Sequence, residues 1–232
     1  QTYTLRSRGS WELSPPGSGA LQVGLATEGG VRRITAFACE AAQKRQESRL
    51  TLASKANAMP QLYGFWEEVA RDEARRHHMP LDVVNVDALC YHLVRSPEKY
   101  RTLLCPNMFG DIVSDLLGAL AGGLGLAAGA NLGSGLGMFE PVHGSAPDIA
   151  GQGKADPTAA ILSVSMLLSH LGHDDAAARI DEAVAADLAA TAAYRGDRHE
   201  FRSLADAVVQ GLRLALVSDA FAQAHKLAPG DR

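Results

Sequence analysis

Between Glu28 and Leu120 the hydrophobic period of the chain changes repeatedly from helical to extended, and this alternation limits the fold more than any other feature. Val31, Ile34, Phe37/Ala38 and Ala41 recur at helical spacing from Glu28 to about Lys44, with Arg32, Arg33 and Lys44 on the opposite side. Leu50–Ser54 (LTLAS) reads as a short strand. Tyr63–Arg76 reads as a second helix, and Leu81–Asp87 (LDVVNVD) as a strand ending on an acid. A helix runs on through Val94 until Ser96-Pro97 breaks it. Leu103–Pro106 is a further strand, and another helix follows it. Strands and helices that alternate with short connections specify an α/β unit whose elements pack mostly in sequence. Lys55, Asp87 and Asn107 then stand at strand exits, where open α/β sheets gather ligands.

The last of these helices carries two acids, Asp111 and Asp115, within Asn107–Asp115 (NMFGDIVSD). Residues four apart lie above one another on a helix, so both carboxylates share a side. That side is expected to face away from a stripe of Ile112, Leu116 and Leu120. Like charges so close repel unless a cation stands between them. A hard divalent ion with oxygen ligands, Mg²⁺ or Mn²⁺, suits such a pair. The pair also reads as two solvated acids near a helix start, where the dipole favours negative charge.

The 232 residues suffice for one large or two small domains. With 22 basic and 26 acidic side chains the net charge is −4, which gives no strong pull towards nucleic acid or anionic membrane. No apolar run reaches the ~18 residues of a transmembrane helix, and no signal peptide is legible. Cys39, Cys90 and Cys105 fit neither a zinc pattern nor a disulfide framework. Buried thiols in a reducing cytoplasm are the expected setting.

Residues 1–27 are rich in breakers and read as a loop or strand–loop–strand arm. Gly118–Gly137 holds eight glycines, yet Leu120, Leu124, Leu126, Ala127 and Leu132 are too apolar for a solvated tether. A tightly turned, buried crossing between two domains is expected there. Phe139–Pro157 is a Gly- and Pro-rich loop. Asp156-Pro157 has the form of a helix cap followed by proline at the first helical position. The helix Thr158–Leu171 is apolar nearly all round and should be buried. Further helices are expected from Asp174 to about Ala193 and over Phe201–Val217, with a polar tail over 219–232.

Lys55-Ala56-Asn57, Val86-Asp87, NMFGDIVSDL, GGLGLA and FEPVHGSAPDIAGQGKADPTAAILS together resemble the β-decarboxylating dehydrogenases, from about Gly29 to Leu188. Within that family the wording from Met138 to Leu168 is most similar to the 3-isopropylmalate enzymes. The resemblance implies a two-domain α/β fold of the isopropylmalate/isocitrate dehydrogenase type, which is not a Rossmann fold. Residues 1–121 would form the smaller central domain with the dimer-forming arm and metal site. Residues 122–232 would form the C-terminal half of the large, NAD-binding domain. The family's chains carry in front a Gly-Asp-Gly-Ile-Gly-Pro start and arginines that clamp the substrate carboxylates, and neither is present here. The chain is thus expected to be a fragment of a longer enzyme or a natural remnant of one.

The chemistry implied is metal-dependent oxidation and decarboxylation of a 3-substituted malate with NAD. 3-Isopropylmalate, the leucine-pathway substrate, leads; tartrate/D-malate, (homo)isocitrate and a non-catalytic subunit are the alternatives. By resemblance Asp111 and Asp115 are metal ligands from one subunit of a homodimer, and Asp87 is the ligand from its neighbour. Lys55 matches the residue that helps take the hydroxyl proton. Tyr3 is the candidate for the tyrosine that reprotonates the enolate; it also reads as an ordinary loop tyrosine. The run His143-Gly144-Ser145-Ala146-Pro147-Asp148-Ile149 resembles the loop that holds the adenosine half of the cofactor. An acid at Asp148 accepts from ribose hydroxyls and repels a 2′-phosphate, so NAD is expected rather than NADP. Asp156 stands where many relatives place an adenine-contacting Asn, although its capping role explains it without a ligand.

Overall fold

The computed structural model describes residues 24–133 and 135–195. Residues 1–23 of the expected arm (1–27), the helix over Phe201–Val217 and the tail over 219–232 lie outside the described residues. The order of elements begins α1 (Glu28–Lys44), β1 (Leu50–Ser54), α2 (Pro60–Arg76), β2 (Leu81–Asn85), α3 (Val86–Arg95), β3 (Leu103–Leu104) and α4 (Asn107–Leu120). It continues with β4 (Ala128–Leu132), β5 (Gly137–Pro141), α5 (Thr158–His170) and α6 (Asp174–Arg195).

Helix α1 starts where the sequence places it, because Thr27 caps it with a side-chain bond from the Gly30 N–H at 3.2 Å. The three first strands form a parallel sheet in the order β2-β1-β3. Packing is therefore less sequential than expected, since β1 lies between the other two. Every residue of β1 is buried, as a central parallel strand covered on both faces requires. The pleat sends Leu50 and Leu52 to one cluster, with Val31, Ile34, Ala38 and Trp66, Val69 of α1 and α2. Ala53 goes to the other, with Leu89 and Leu93 of α3 and Phe109, Val113 and Leu117 of α4.

Arg32 ties α1 to α2. Its guanidinium lies 2.7 Å from Asp72 and 3.0 Å from Glu73, and also pairs with Glu28 of its own helix at 2.8 Å. The bond from Arg32 is the main reason that the Asp72 carboxyl is held below its ordinary value. Burial pushes the Cys39 thiol up to about 11 and the Cys105 thiol up to about 12.

Four expectations need correction. Strand β2 ends at Asn85, so Asp87 stands in the first turn of α3 and not on a strand. Asn85 keeps extended backbone while the acid two residues later gains from the helix dipole. On α4 the buried stripe is Phe109, Val113 and Leu117, spaced by four; Ile112 is exposed, and Leu116 and Leu120 only flank the stripe. Phe109 has the largest apolar side chain on the helix and sets its rotation.

Among the described residues, the glycine-rich stretch is not buried beyond Gly118. It makes a 3-10 turn (Leu124–Leu126) and the antiparallel hairpin β4–β5, with Leu132 and Leu136 exposed. Two glycines there stand where a side chain would be strained or crowded. Gly123 takes φ 127° directly after α4, and a Cβ on Gly125 would stand 3.0 Å from the Cβ of Asp156. Helix α5, lastly, is not buried all round. Thr158, Ala159, Ser163 and Ser165 are buried on it, while Ile161, Val164 and Leu167 are exposed. Ser165 faces α6: its hydroxyl lies 2.7 Å from the Asp181 carboxylate and 3.1 Å from the Ala177 carbonyl oxygen.

Candidate active site

Three chain segments leave the same edge of the parallel sheet. Lys55 follows β1, Asp87 lies just beyond β2, and Asn107 opens α4 just beyond β3. At this edge α2 leaves β1 for one face of the sheet while α3 and α4 leave β2 and β3 for the other, and where connections diverge α/β sheets leave a crevice. The Lys55 ammonium donates to the Asp87 carboxylate at 2.6 Å. That bond is the leading cause that holds the Asp87 carboxyl below the usual carboxylate range.

The turn bearing Lys55 is closely held. The Lys55 carbonyl accepts from the N–H groups of Ala58 at 3.0 Å and Met59 at 2.9 Å. The buried Ser54 hydroxyl accepts from the Ala56 N–H at 3.2 Å and donates to Glu67 of α2 at 2.5 Å. The start of α4 is fixed against the start of α2 by a stacked pair, Phe109 on Tyr63, with ring centroids 4.8 Å apart and planes 27° from parallel. Burial pushes the Tyr63 phenol up.

Asp111 and Asp115 share the exposed side of α4, opposite Phe109, Val113 and Leu117. Among the described residues neither carboxylate makes an ion pair or hydrogen bond. Their oxygen donors suit Mg²⁺ or Mn²⁺. No group of three acids, histidines or cysteines close enough to hold a metal forms among the described residues of one chain. Asp87 and the α4 pair thus remain separate within a single chain.

The second cluster of candidates lies on the loop after β5. His143 to Asp148 are all exposed, with Ile149 half-buried. The loop is shaped by its own contacts. The His143 Nδ1 lies 2.8 Å from the Gly144 carbonyl oxygen, and Ala146 takes a left-handed conformation (φ 42°) ahead of the 3-10 turn Pro147–Ile149. The Asp148 carbonyl accepts from Gln152 at 2.7 Å. Asp156 accepts from the N–H of Thr158, the first residue of α5, at 2.9 Å, although Pro157 and not Asp156 stands at the N-cap position. Tyr3 lies outside the described residues.

A family model described as isocitrate/isopropylmalate dehydrogenase matches residues 7–200. The chain belongs to this family. It is 46% identical over 197 residues to 3-isopropylmalate dehydrogenase of Clavibacter michiganensis, covering 83% of this chain and 56% of that protein. It is 45% identical over 192 residues to the enzyme of the same name from Mycobacterium tuberculosis, covering 81% and 56%. The chain thus spans little more than half the length of the curated relatives it matches. Among solved structures, isocitrate dehydrogenase from Methylococcus capsulatus superposes with a TM-score of 0.68 at 36% identity, covering 81% of this chain and 57% of that one. A β-decarboxylating dehydrogenase from Thermococcus kodakarensis gives 0.64 at 34% identity, covering 82% and 56%. The mixed α/β fold is that of the isocitrate/isopropylmalate dehydrogenases.

Two contributors to this candidate site were missed from sequence. Ser54 and Glu67 hold the Lys55 turn, and a serine two residues before an N–H that it can accept from is a known turn signal. Glu67 offered no signal, because its partner is thirteen residues away. The Tyr63–Phe109 stack was hidden for the same reason.

Proposed function

We propose that this chain is the part of an NAD-linked dehydrogenase that carries its metal ligands and adenosine loop, and that the reaction is oxidation and decarboxylation of a 3-substituted malate. The names of the most similar relatives favour 3-isopropylmalate. One observation carries the reading: a lysine–aspartate pair at the sheet edge, and apart from it two carboxylates side by side on an exposed helix face with no partner among the described residues.

Mg²⁺ or Mn²⁺, held by Asp111 and Asp115 of one copy and Asp87 of another, would stabilise the negative charge that grows on the substrate oxygen in both steps. Asp87 holds Lys55 as the ammonium before substrate and ion arrive; once it has given up that proton, Lys55 as the neutral amine takes the hydroxyl proton. Tyr3 returns a proton to carbon after CO₂ has left. The loop His143–Ile149 takes the adenosine half of NAD, with Asp148 accepting from ribose hydroxyls and repelling a 2′-phosphate. Asp156 holds the first N–H of α5. Residues 1–121 then belong to the smaller central domain and 122–232 to the large domain.

The partner in this reading is a second copy. Tyr91 and Val94 of α3 are 56% exposed, and Met108 and Ile112 of α4 are 59% and 52% exposed, on helices that pack together. Large apolar side chains gathered beside functional acids mark an interaction face. A contact there brings one copy's acids towards the other's. Among the described residues no helix is long and apolar enough to cross a membrane.

The test is NAD reduction by the full-length protein with Mn²⁺ and, in parallel, 3-isopropylmalate, D-malate, tartrate and isocitrate. 3-Isopropylmalate should be turned over fastest; preference for another acid keeps the chemistry and changes the substrate. Asp111→Asn should lower Mn²⁺ affinity and turnover by more than about 100-fold, since outer-shell partners alone are worth roughly 10- to 100-fold. Unchanged Mn²⁺ binding would refute the ligand assignment, and no turnover of any of the four acids would refute the dehydrogenase reading.

A further inference from the structure

We propose that Ser54 and Glu67 are a positioning pair that aims Lys55 at Asp87; the functional part of this inference rests on the role given to Lys55 above. Lys55 leaves the sheet in a turn whose backbone is held from both sides. Its carbonyl accepts two N–H groups, from Ala58 and Met59. The next N–H, of Ala56, is held by the Ser54 hydroxyl. That hydroxyl is buried, and it spends its single proton on the Glu67 carboxylate at 2.5 Å. A hydroxyl that donates in a fixed direction must present its lone pairs in a fixed direction too. Glu67 thus decides where the Ser54 oxygen accepts, and hence how the Ala56 peptide and the Lys55 Cα–Cβ bond are turned.

Bonds to an ionised acceptor are the stronger kind. Helix α2, which bears Glu67, is itself locked to α1 through Arg32, so the anchor is rigid. The chain of contacts runs from Glu67 to Ser54, to the Ala56 N–H, to the Lys55 side chain and to Asp87 at 2.6 Å. A proton acceptor must lie within hydrogen-bond reach of the proton it takes, so its aim counts as much as its chemistry.

The experiment reads the Lys55–Asp87 contact directly. The lysines of the full-length protein are dimethylated with ¹³C-formaldehyde, and the Lys55 signal is assigned by its loss in Lys55→Arg. In the unaltered protein the ion pair should hold the two methyl groups inequivalent, giving two resonances. Ser54→Ala and Glu67→Ala should merge them and speed trinitrophenylation of unmethylated Lys55 by about two- to fivefold, the range for releasing a solvent-reached pair. Glu67→Gln keeps an acceptor for the hydroxyl and should preserve both readouts. In turnover, Glu67→Ala should lower kcat by about tenfold with the KM for NAD unchanged, and Glu67→Gln should restore most of it. Circular dichroism shows which variants fold; Glu67 is half-exposed, so Glu67→Ala keeps the test open if Ser54→Ala does not fold. A folded Glu67→Ala variant with two Lys55 resonances and native reactivity would overturn the proposal. Absent dehydrogenase activity in a protein whose Lys55 signals still respond to Glu67→Ala would overturn the dehydrogenase reading and leave the positioning intact.

Discussion

Removal of the Phe109 ring should loosen the element that presents Asp111 and Asp115. Phe109 is 5% exposed and stacks on Tyr63, with Ala53, Leu89, Leu93, Leu103, Cys105, Val113 and Leu117 in the same cluster. Truncation of a buried Phe to Ala costs roughly 3–5 kcal/mol. Phe109 lies in the first turn of α4, where the backbone can partly close the gap, so Phe109→Ala should fall near the lower end, at about 3 kcal/mol. An offset ring pair adds ~0.5–1.5 kcal/mol beyond its buried area. Tyr63→Leu and Phe109→Leu should therefore couple by about that amount in a double-mutant cycle. Urea unfolding followed by tryptophan fluorescence measures both, because buried Trp66 reports from the other side of the sheet. With a slope of ~3 kcal/mol/M, the Phe109→Ala midpoint should drop by about 1 M. Mn²⁺ affinity should weaken too, as Asp111 is half a turn further along the same helix. A loss under ~1 kcal/mol, or strictly additive effects at 63 and 109, would show that the stack does not fix α4.

The thiols should be silent in the native protein. Burial raises all three above their ordinary value, with the charge of Asp87 adding to the effect at Cys90, so thiolate is scarce at neutral pH. Ellman's reagent should thus label Cys39 and Cys105 only on unfolding, and rapid native labelling of either would contradict their burial. The Arg32 hub should give an acid-labile contribution to stability. The Asp72 carboxyl is lowered from 3.8 chiefly by Arg32, so its stabilising share is complete above that value and is lost as pH falls below it. Arg32→Met should flatten the stability–pH curve below about pH 4, measured by thermal unfolding at stepped pH; an unchanged acid limb would assign the dependence to other carboxylates.

The elements of the sheet layer were legible because each carries a local signal. The apolar spacing that opens at Glu28, the short LTLAS run and the Ser96-Pro97 break all act within a few residues. What sequence hid was set by partners distant in the chain. Ile112 and Phe109 are both apolar, and only packing against Tyr63 decides which turns inward. Likewise α5 reads as apolar nearly all round, yet its buried Ser165 faces α6, where it finds the Asp181 carboxylate. In the glycine-rich stretch, composition could not separate a crossing from a hairpin, since glycine permits both. At the site, Lys55, Asp111 and Asp115 were legible as residue types at strand exits or on one helix face. The Lys55–Asp87 bond needs the β1–β2 register, which sets Ser54 beside Asn85 and so brings the two exits together.

The two acids on α4 also make a prediction about stability that separates a ligand pair from a solvated pair. Like charges at i and i+4 destabilise a helix by roughly 0.2–0.5 kcal/mol. Asp115 lies beyond the first turn, where the dipole no longer favours a negative charge. Asp115→Asn should therefore stabilise the metal-free protein slightly, by about 0.3 kcal/mol at low salt and less at ~1 M salt. With Mn²⁺ the order should invert. A ligand that binds only the native state at a hundred times its Kd contributes about 2.7 kcal/mol, and Asp115→Asn should forgo nearly all of it. Thermal unfolding of both proteins with and without Mn²⁺ reads the crossing. Solvated acids with no shared ion would give the same small gain from Asp115→Asn in either condition, and an equal rise of both proteins with Mn²⁺ would remove Asp115 from the metal site.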